Sequence, residues 1–348
     1  MPRSTFLLTM LCGTVILHAT AAETLSQVRF EHKDWEVACD NTRTCRAAGY
    51  QTEGMVPNAS ILLTRKAGPN QPVVAELQLA QTEDDNATPA VLTMSIGKQT
   101  HGTIKMDREN RTGTLSPEQT MALLNALPND DPIAWTAGKV SWSISKMGAN
   151  AALLKMDEFQ GRLGTPGALI RKGSKPESSV LPALPPPVVL SPHIKPGQPA
   201  PRLSAAQTTS LLAELRRSIK EGDCDGLVPE SGEAPILALE ALSDKAMLVS
   251  TECWRGAYNT GNGFWVANRS APYSPRFITA DADSHDDGVL TSFHKGRGIG
   301  DCIGGDTWTW DGRTFIHTST STTGMCRQFA AGGAWDFPTL VSEVRRTR

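Results

Sequence analysis

Short runs in which apolar and polar residues alternate recur along most of the chain, a pattern typical of half-buried β-strands. In the N-terminal half the pattern predicts strands within residues 30–39, 45–50, 60–64, 73–79, 90–96, 103–106 and 139–145. In the C-terminal half it predicts strands within residues 235–242, 245–253, 264–268, 277–279 and 289–294. Strands this short, separated by turn residues, favour antiparallel sheets.

Capping boxes mark the starts of two predicted helices. Ser116-Pro117-Glu118-Gln119 combines a capping serine with a proline at the first helical position, and Pro128 should end this helix. Its inner face is predicted to contain Met121, Leu123, Leu124 and Leu127. Ser204-Ala-Ala-Gln207 begins the other helix, which should end before Gly222. Its apolar face is predicted to contain Leu211, Leu212, Leu215 and Ile219.

A third helix is predicted over residues 150–160, ending near Gly161 or Gly164. It carries the adjacent carboxylates Asp157 and Glu158. Neighbours on a helix point about 100° apart, so these two do not form a catalytic pair by themselves. We therefore expect both to be solvated helix charges.

The composition changes between residues 173 and 201, where nine prolines occur. A stretch this rich in proline favours extended polyproline II conformation and acts as a semi-rigid spacer. The predicted fold class is thus α+β, with two domains rich in antiparallel strands. The predicted boundaries are 23–172 for the first domain, 173–202 for the linker and 203–348 for the second domain.

The N-terminus has the pattern of a secretory signal peptide. Arg3 precedes an apolar run from Phe6 to Leu17, and small residues then allow cleavage near Ala21 or Ala22. The apolar run is too short to span a bilayer, and no later segment is apolar enough to do so. We therefore predict a leader over residues 1–22 and a periplasmic mature protein without a transmembrane segment.

Charge and cysteine content narrow the class further. The chain has 34 Lys and Arg against 36 Asp and Glu, a balance that argues against nucleic acid as a partner. Cys12 lies in the leader, and the remaining cysteines are Cys39, Cys45, Cys224, Cys253, Cys302 and Cys326. An even count in an exported protein implies disulfides, for which six cysteines allow 15 connectivities. We favour the sequential pairs 39–45, 224–253 and 302–326. The first pair follows if every bond stays within its domain.

An aromatic hairpin is predicted around Asp311-Gly312, a preferred two-residue turn. With such a turn Trp310 faces Arg313 and Trp308 faces Phe315, and all four lie on one face of the sheet. The favoured interpretation is a half-buried hairpin, and the alternative is an aromatic platform for a ligand.

The preceding segment, Lys295-Gly-Arg-Gly-Ile-Gly-Asp-Cys302, alternates glycine with other residues. Such a loop can turn its backbone N–H groups inward as an anion-binding nest, with Lys295 and Arg297 adding positive charge. It matches neither the phosphate-loop nor the dinucleotide-binding pattern, so no cofactor is predicted. The alternative interpretation is a tight connection that lets Cys302 reach its partner.

Signatures of catalysis and of metal binding are absent from the sequence. Residues 281–288 fail the EF-hand test, because Asp286 stands where glycine is needed and Ser292 where glutamate is needed. An acidic turn between strands is expected there instead. The chain contains neither Gly-x-Ser-x-Gly nor His-Glu-x-x-His. No metal site is predicted, and the absence of Cys-x-x-Cys argues against a redox or zinc role.

These motifs together resemble the exported bacterial proteins grouped as domain of unknown function 1176 (DUF1176). The residues that carry the resemblance are Trp35-Glu-Val-x-Cys39 with Cys45-Arg46, Met156-Asp-Glu-x-Gln160-Gly-Arg162, Cys253 with Gly256-Ala-Tyr-Asn259, Lys295–Cys302, Trp308–Phe315 and Cys326-Arg327. The N-terminal half is also faintly similar to invasion-associated locus B proteins. The resemblance implies a periplasmic location and disulfides, and it implies no activity.

The favoured function is a non-enzymatic periplasmic binding or interaction protein. Its partner would be an envelope protein or a cell-wall component. The predicted site comprises Lys295, Arg297, Asp301, Trp308 and Trp310, in which the cations hold an acidic group and the tryptophans pack against an apolar part. One alternative is a hydrolase of cell-wall material with Asp301 or His294 as general base. The other is a purely structural envelope protein.

Overall fold

A computed structural model describes residues 28–80, 88–195, 197–228, 232 and 234–347. The predicted leader and its cleavage site lie outside these residues. Within them the protein consists mostly of antiparallel β-sheets, with three α-helices and three disulfides. None of the described helices is long and apolar enough to cross a membrane.

The first sheet has six strands in the order β1-β2-β3-β4-β5-β8. Its strands are β1 (Val28–His32), β2 (Trp35–Cys39), β3 (Cys45–Tyr50), β4 (Ala59–Arg65), β5 (Val73–Leu79) and β8 (Thr112–Thr114). The single strand predicted over 30–39 is wrong, because Lys33 adopts a positive φ of 58° and the chain reverses there. The disulfide Cys39–Cys45 joins directly opposed residues of β2 and β3, as predicted.

The second sheet has the order β10-β9-β6-β7. Its strands are β6 (Val91–Ile96), β7 (Gln99–Lys105), β9 (Ile133–Ala137) and β10 (Val140–Ser143). Two helices, α1 (Pro117–Ala126) and α2 (Ala149–Phe159), complete this half. Side chains from both sheets and both helices share one core, which includes Trp35, Trp135, Leu123 and Met156. The capping box of α1 is confirmed, but Met121 is 60% exposed and does not belong to the inner face.

Asp157 contradicts the prediction of a solvated helix charge. Its side chain is fully buried, and Oδ2 accepts hydrogen bonds from the backbone N–H groups of Leu169 and Ile170 at 2.7 and 3.0 Å. Its neighbour Glu158 is exposed and pairs with Lys155, as a solvated charge would. The two carboxylates differ because the chain after α2 folds back over one side of the helix only.

The proline-rich segment is hydrogen-bonded to the N-terminal half and to the last strand of the described chain. Leu181 exchanges backbone hydrogen bonds with Gly68 and Gln160. A short 3₁₀ helix, Glu177–Ser179, precedes it. Further along, β11 (Val188–Pro192) pairs in parallel with the C-terminal strand β22 (Glu343–Thr347).

The C-terminal half contains two further sheets. One has the order β12-β13-β14-β15, formed by β12 (Ala238–Ala241), β13 (Ala246–Arg255), β14 (Thr260–Asn268) and β15 (Arg276–Ala282). The other has the order β16-β17-β19-β20-β21, with β18 also paired to β19. Its strands are β16 (Ser284–Asp286), β17 (Val289–Thr291), β18 (His294–Lys295), β19 (Ile303–Trp310), β20 (Phe315–Thr322) and β21 (Phe337–Leu340).

Helix α3 (Ala205–Arg217) begins at the predicted capping serine and covers one face of the first of these sheets. The contact is made by Leu211 and Leu215, which are fully buried as predicted. A 3₁₀ turn, Asp225–Leu227, follows the helix, and the disulfide Cys224–Cys253 ties this turn to β13. The opposite face of the sheet packs against the last sheet.

The register predicted for the aromatic hairpin is wrong. Trp310 pairs with Phe315 and Trp308 pairs with His317, so the loop has four residues and Arg313 lies within it. The Asp311 carboxylate accepts hydrogen bonds from the N–H groups of Arg313 and Thr314, both at 2.7 Å. This side-chain cap stabilises the longer loop in place of a two-residue turn.

The outer face of the first sheet is covered by C-terminal residues. Phe337 of β21 packs with Tyr50 and Leu62 in a small core to which Trp335 also contributes. Because both faces of β2 are covered, all five of its residues are buried. The first and last parts of the described chain are thus directly packed together.

Candidate functional site

The glycine-rich loop between Lys295 and Cys302 is held rigidly at its base. The side-chain amide of Asn259 accepts a hydrogen bond from the Lys295 backbone N–H and donates one to its carbonyl, each at 2.9 Å. Gly296 N–H donates to the Cys302 carbonyl at 2.9 Å, and the predicted disulfide Cys302–Cys326 closes the far side. The turn after β13 and the loop therefore form one unit.

Arg297 and Asp301 form a two-pronged ion pair across this loop. Arg297 Nε donates to Asp301 Oδ1 at 2.7 Å, while Nη2 donates to Oδ2 and also to the Cys326 carbonyl. Gln328 N–H donates to the same Oδ2. The Arg297 hydrogen bond, which outweighs burial, holds the pKa of Asp301 below its usual range. Asp301 is therefore an ionised, fully used acceptor, which is a poor starting state for a general base.

Two glycine N–H groups of the loop are used inside it and are not available to an anion. Gly300 N–H donates to the Arg297 carbonyl at 2.9 Å, and Gly296 N–H is used as described above. Since Arg297 is neutralised by Asp301, its charge is not free for a partner. Lys295 differs, because its ammonium group forms no salt bridge with any described residue.

Two exposed apolar side chains lie on this rigid unit. Ile299 is 65% exposed at the tip of the loop, and Tyr258 is 47% exposed on the adjoining turn. A Cβ placed on Gly298 would lie 3.7 Å from the Tyr258 ring, so the ring lies against the loop backbone. We name Tyr258, Lys295 and Ile299 the loop surface. Sequence reasoning missed Tyr258 as a site residue, although it lies in the motif Gly256-Ala-Tyr-Asn259.

The tryptophans of the predicted site lie elsewhere. Strand β19 begins at Ile303, opposite Lys295, and Trp308 follows five residues later. At about 3.4 Å per residue this places Trp308 roughly 17 Å along the strand from Ile303. Trp310 is buried in the core with Phe315, at 5.4 Å between ring centroids. The structure brings Lys295, Arg297 and Asp301 together and separates them from Trp308 and Trp310.

A second polar cluster lies beside Trp308. The Trp308 ring stacks on His317 at 5.0 Å between centroids, and His317 Nε2 lies 2.7 Å from Asp306 Oδ1. Thr320 donates to the same carboxylate oxygen at 2.6 Å. Burial raises the pKa of Asp306, but the hydrogen bonds from His317 and Thr320 outweigh it and leave the pKa lowered. In the observed register Asp306 lies opposite Thr320 and His317 opposite Trp308, so the contact between Asp306 and His317 is diagonal and not the directly opposed pair of the predicted register.

His294, the other candidate base, makes longer contacts. Its Nε2 lies 3.3 Å from the Thr260 carbonyl and 3.6 Å from Asp283 Oδ1. The Trp254 ring meets the imidazole edge-on at 5.2 Å. These contacts hold the ring against β13 and β14 without a short hydrogen bond to a carboxylate.

Acidic side chains in residues 281–288 accept hydrogen bonds from neighbouring groups. Asp281 accepts a hydrogen bond from Trp254 Nε1 at 3.2 Å, and Asp283 accepts one from the Phe293 N–H. Ser284–Asp286 forms β16, so only residues 287 and 288 make the turn. Among described residues the one cluster with metal-ligand proximity is Asp301, Cys302 and Cys326. Its two sulfurs are joined in a disulfide and are not free thiolates.

Comparison with known proteins assigns this chain to a family. A family model described as "Protein of unknown function (DUF1176)" matches residues 29–342. The "Uncharacterized protein YpfG" of Escherichia coli (strain K12) is 27% identical in an alignment 343 residues long, and the match covers 88% of this chain and 90% of that protein. No solved structure matches the chain significantly. All the motifs that carry the resemblance lie inside the matched region.

Proposed function

Because this chain belongs to the DUF1176 family, whose description assigns no activity, we propose its function from its own geometry. It is an exported, non-enzymatic binding protein of the bacterial envelope that recognises its partner through the loop surface. The mature chain begins after a leader over residues 1–22 and works in the periplasm. The two-domain layout, with boundaries at 23–172 and 203–348, is part of this proposal.

Rigid presentation of exposed side chains is the observation that carries the proposal. Ile299 and Tyr258 remain exposed on a loop that a disulfide, an ion pair and the Asn259 amide hold in place. Binding costs less conformational entropy when the contacting groups are already ordered. Exposed aromatic and aliphatic anchors on such a support are typical of binding surfaces.

The chemistry of the loop surface defines the partner's chemistry. Lys295 supplies an unneutralised cation, while Tyr258 and Ile299 supply apolar area beside it. The partner is thus an envelope component that presents an acidic group next to an apolar part. Tyr258 and Ile299 take the apolar role that the sequence had suggested for Trp308 and Trp310, and Arg297 and Asp301 keep the loop in shape.

A hydrolase receives less support from the same geometry. The lowered pKa of Asp301 and its three hydrogen bonds keep it ionised and paired, whereas a general base needs a pKa near the working pH. If the protein had a purely structural role, replacement of the exposed side chains of the loop surface would not change the capture of a partner. The experiment below distinguishes this role from binding.

A capture experiment tests the proposal. The mature chain, residues 23–348, is immobilised and incubated in parallel with periplasmic extract and with purified cell wall from the bacterium that carries the gene. The whole mature chain is required because residues 203–348 alone would expose Phe337 and Trp335, which pack against the first sheet. Bound material is quantified for the wild type, Tyr258→Ala/Ile299→Ala and Lys295→Gln.

The matched control is Val140→Ser, which removes an exposed apolar side chain on β10. We expect the wild type and the control to retain one specific component. The loop-surface variants should retain at least about tenfold less of that component. Capture should also weaken with added salt, since Lys295 is only partly buried and its interaction with an acidic group would be screened. Equal capture by the folded loop-surface variants would reject the site, and the absence of any specific component would reject the binding function.

A further inference from the structure

A cavity of about 310 Å³ lies in the N-terminal half, between the start of β5, helix α1 and the segment after α2. Most of its wall is apolar and includes Pro72, Val73, Met121, Leu124, Ala168 and Leu169. Two cationic side chains, Arg65 and Lys172, also line it. Pockets of this size with apolar walls and few polar groups are typical of small-molecule sites.

Arg65 is a buried cation with unused hydrogen-bond donors. The residue is only 5% exposed, and its Nε donates to the Gln71 carbonyl at 3.0 Å. Its Nη1 is enclosed and has no hydrogen-bond partner among the described residues. A guanidinium carries five N–H donors, and buried polar groups are nearly always paired. The nearby buried Arg162 donates three hydrogen bonds, to Gln160, Lys66 and Gly68, and its Nη1 likewise has no partner among the described residues.

Asp157 does not satisfy the Arg65 guanidinium. The shortest approach is 3.7 Å, between Arg65 Nη1 and Asp157 Oδ1, and Oδ1 likewise has no hydrogen-bond partner among the described residues. The other oxygen is bonded to the N–H groups of Leu169 and Ile170. Burial, together with the neighbouring Arg162, lowers the pKa of Arg65 to about 10, so it remains a cation at neutral pH.

Positive charge is in excess around the cavity. Arg65, Arg162 and Lys172 face Asp157 and Glu177, whose carboxylates are already used to hold the backbone. Glu177 Oε1 accepts the Gly167 N–H at 2.6 Å, and Asp157 accepts the two N–H groups that follow Ala168. These bonds fix the segment that forms one wall. The cavity is therefore preformed, which lowers the cost of binding.

We propose that this cavity is a second binding site, which takes a monocarboxylate with an apolar chain or ring. The carboxylate is held by the positive charges of Arg65 and Lys172, which both line the cavity, and the apolar part fills the space between Val73, Leu124 and Leu169. A carboxylate brings a negative charge to these two cations, whereas an uncharged ligand of the same shape brings none. The site is separate from the loop surface and does not depend on it.

Calorimetric titration with matched probes tests this site in the mature chain. The probes are octanoate and 4-phenylbutyrate, each compared with its uncharged amide, which has nearly the same shape. We expect at least one carboxylate to bind with one-to-one stoichiometry and a Kd below about 1 mM. The corresponding amide should bind at least about tenfold more weakly, because it carries no negative charge to pair with Arg65 and Lys172.

Two variants locate the binding. Met121→Trp introduces a large ring at the wall of the cavity, at a position where the side chain is exposed. Met147→Trp is the control. Both methionines are about 60% exposed, but only Met121 lines the cavity. Binding should fall at least about tenfold in Met121→Trp and persist in Met147→Trp. Arg65→Gln, if folded, should remove the preference for the carboxylate. No carboxylate binding in the wild type, equal binding of acid and amide, or full binding by Met121→Trp would each overturn the proposal.

Discussion

The side-chain amide of Asn41 exchanges two hydrogen bonds with the backbone of Val341, across 300 residues of sequence. The amide N–H₂ donates to the Val341 carbonyl at 3.0 Å, and its oxygen accepts the Val341 N–H at 2.8 Å. Asn41 is buried, so these bonds are shielded from water. They attach the segment after β21 to the turn that the Cys39–Cys45 disulfide closes.

Replacement of Asn41 should therefore weaken the whole fold. In Asn41→Ala the N–H and carbonyl of Val341 lose their partners, which costs about 1–3 kcal/mol of unfolding free energy. Denaturant unfolding under non-reducing conditions measures this loss. The control is Asn129→Ala, whose exposed side chain bonds only to Asn125 within the same turn, and it should change stability by less than about 0.5 kcal/mol. Equal effects of the two substitutions would contradict the prediction.

Glu36 should make stability depend on pH. Its carboxylate accepts the Tyr50 hydroxyl at 2.5 Å and the Met325 N–H at 2.7 Å, and burial raises its pKa above 4.5. A folded-state pKa raised in this way gives stability that is complete below pH 4.5 and is lost as the pH rises through the folded pKa. We expect Glu36→Gln to gain stability relative to the wild type as the pH is raised from 4 to 8.

Unfolding titrations of both proteins at matched pH values check this dependence. The glutamine side chain of the variant is neutral at every pH, so the difference between the two unfolding free energies isolates the titration of Glu36. A difference that stays constant with pH would show that the buried carboxylate keeps its ordinary pKa, and a change in the opposite direction would show that its pKa is lowered.

The stability that Asp301 contributes should depend on pH in the opposite direction. The hydrogen bond from Arg297 lowers its pKa, so the stability it contributes is present above pH 3.8 and is lost as the pH falls through the folded pKa. Asp301→Asn should reduce the unfolding free energy at pH 7 by about 1.5–3 kcal/mol, the range for hydrogen bonds to a charged group.

The matched control for Asp301 is Glu252→Gln, which breaks an exposed ion pair with Arg255. Exposed pairs contribute about 0–1 kcal/mol, so this variant should stay close to the wild type. The penalty of Asp301→Asn should shrink in acid, and an equal penalty at pH 3 and pH 7 would argue against an ionised Asp301.

The loss of unfolding free energy on removal of a single disulfide should increase with the length of chain that the disulfide closes. Cys302–Cys326 spans 24 residues and Cys39–Cys45 spans 6. Loop-closure entropy then gives losses of about 3.5 and about 2 kcal/mol for the paired serine variants. Denaturant unfolding of the two variants measures the order. A larger loss at 39–45 would show that packing around the first hairpin outweighs chain entropy.

Several parts of the fold were predictable because their contacts are local. The capping boxes at Ser116 and Ser204 need only residues three positions away, and both are present. Strand β3 has the predicted bounds, since turn residues and a cysteine delimit it. The sequential disulfide pairs are confirmed as well.

The candidate sites were only partly predictable. The sequence placed Lys295, Arg297 and Asp301 on one loop, but it could not show that Arg297 is neutralised by Asp301. Tyr258 joins the loop through pairing between distant segments. The cavity depends on Arg65, Met121 and Leu169, which lie on three separate elements, so no local pattern reveals it.

The sequence by itself determined the strand-rich composition, the helix starts and the family, because each depends on short-range periodicity or on residue identity. It favoured the sequential cysteine pairs, which the structure confirms, but it left the other connectivities open. The tertiary structure alone decided that Asp157 is buried, that Trp308 lies far from the glycine-rich loop, and that C-terminal residues cover the first sheet. The physical reason is that burial and register are set by which segments meet in space. A helix carboxylate is solvated or buried according to whether another part of the chain supplies N–H groups to it.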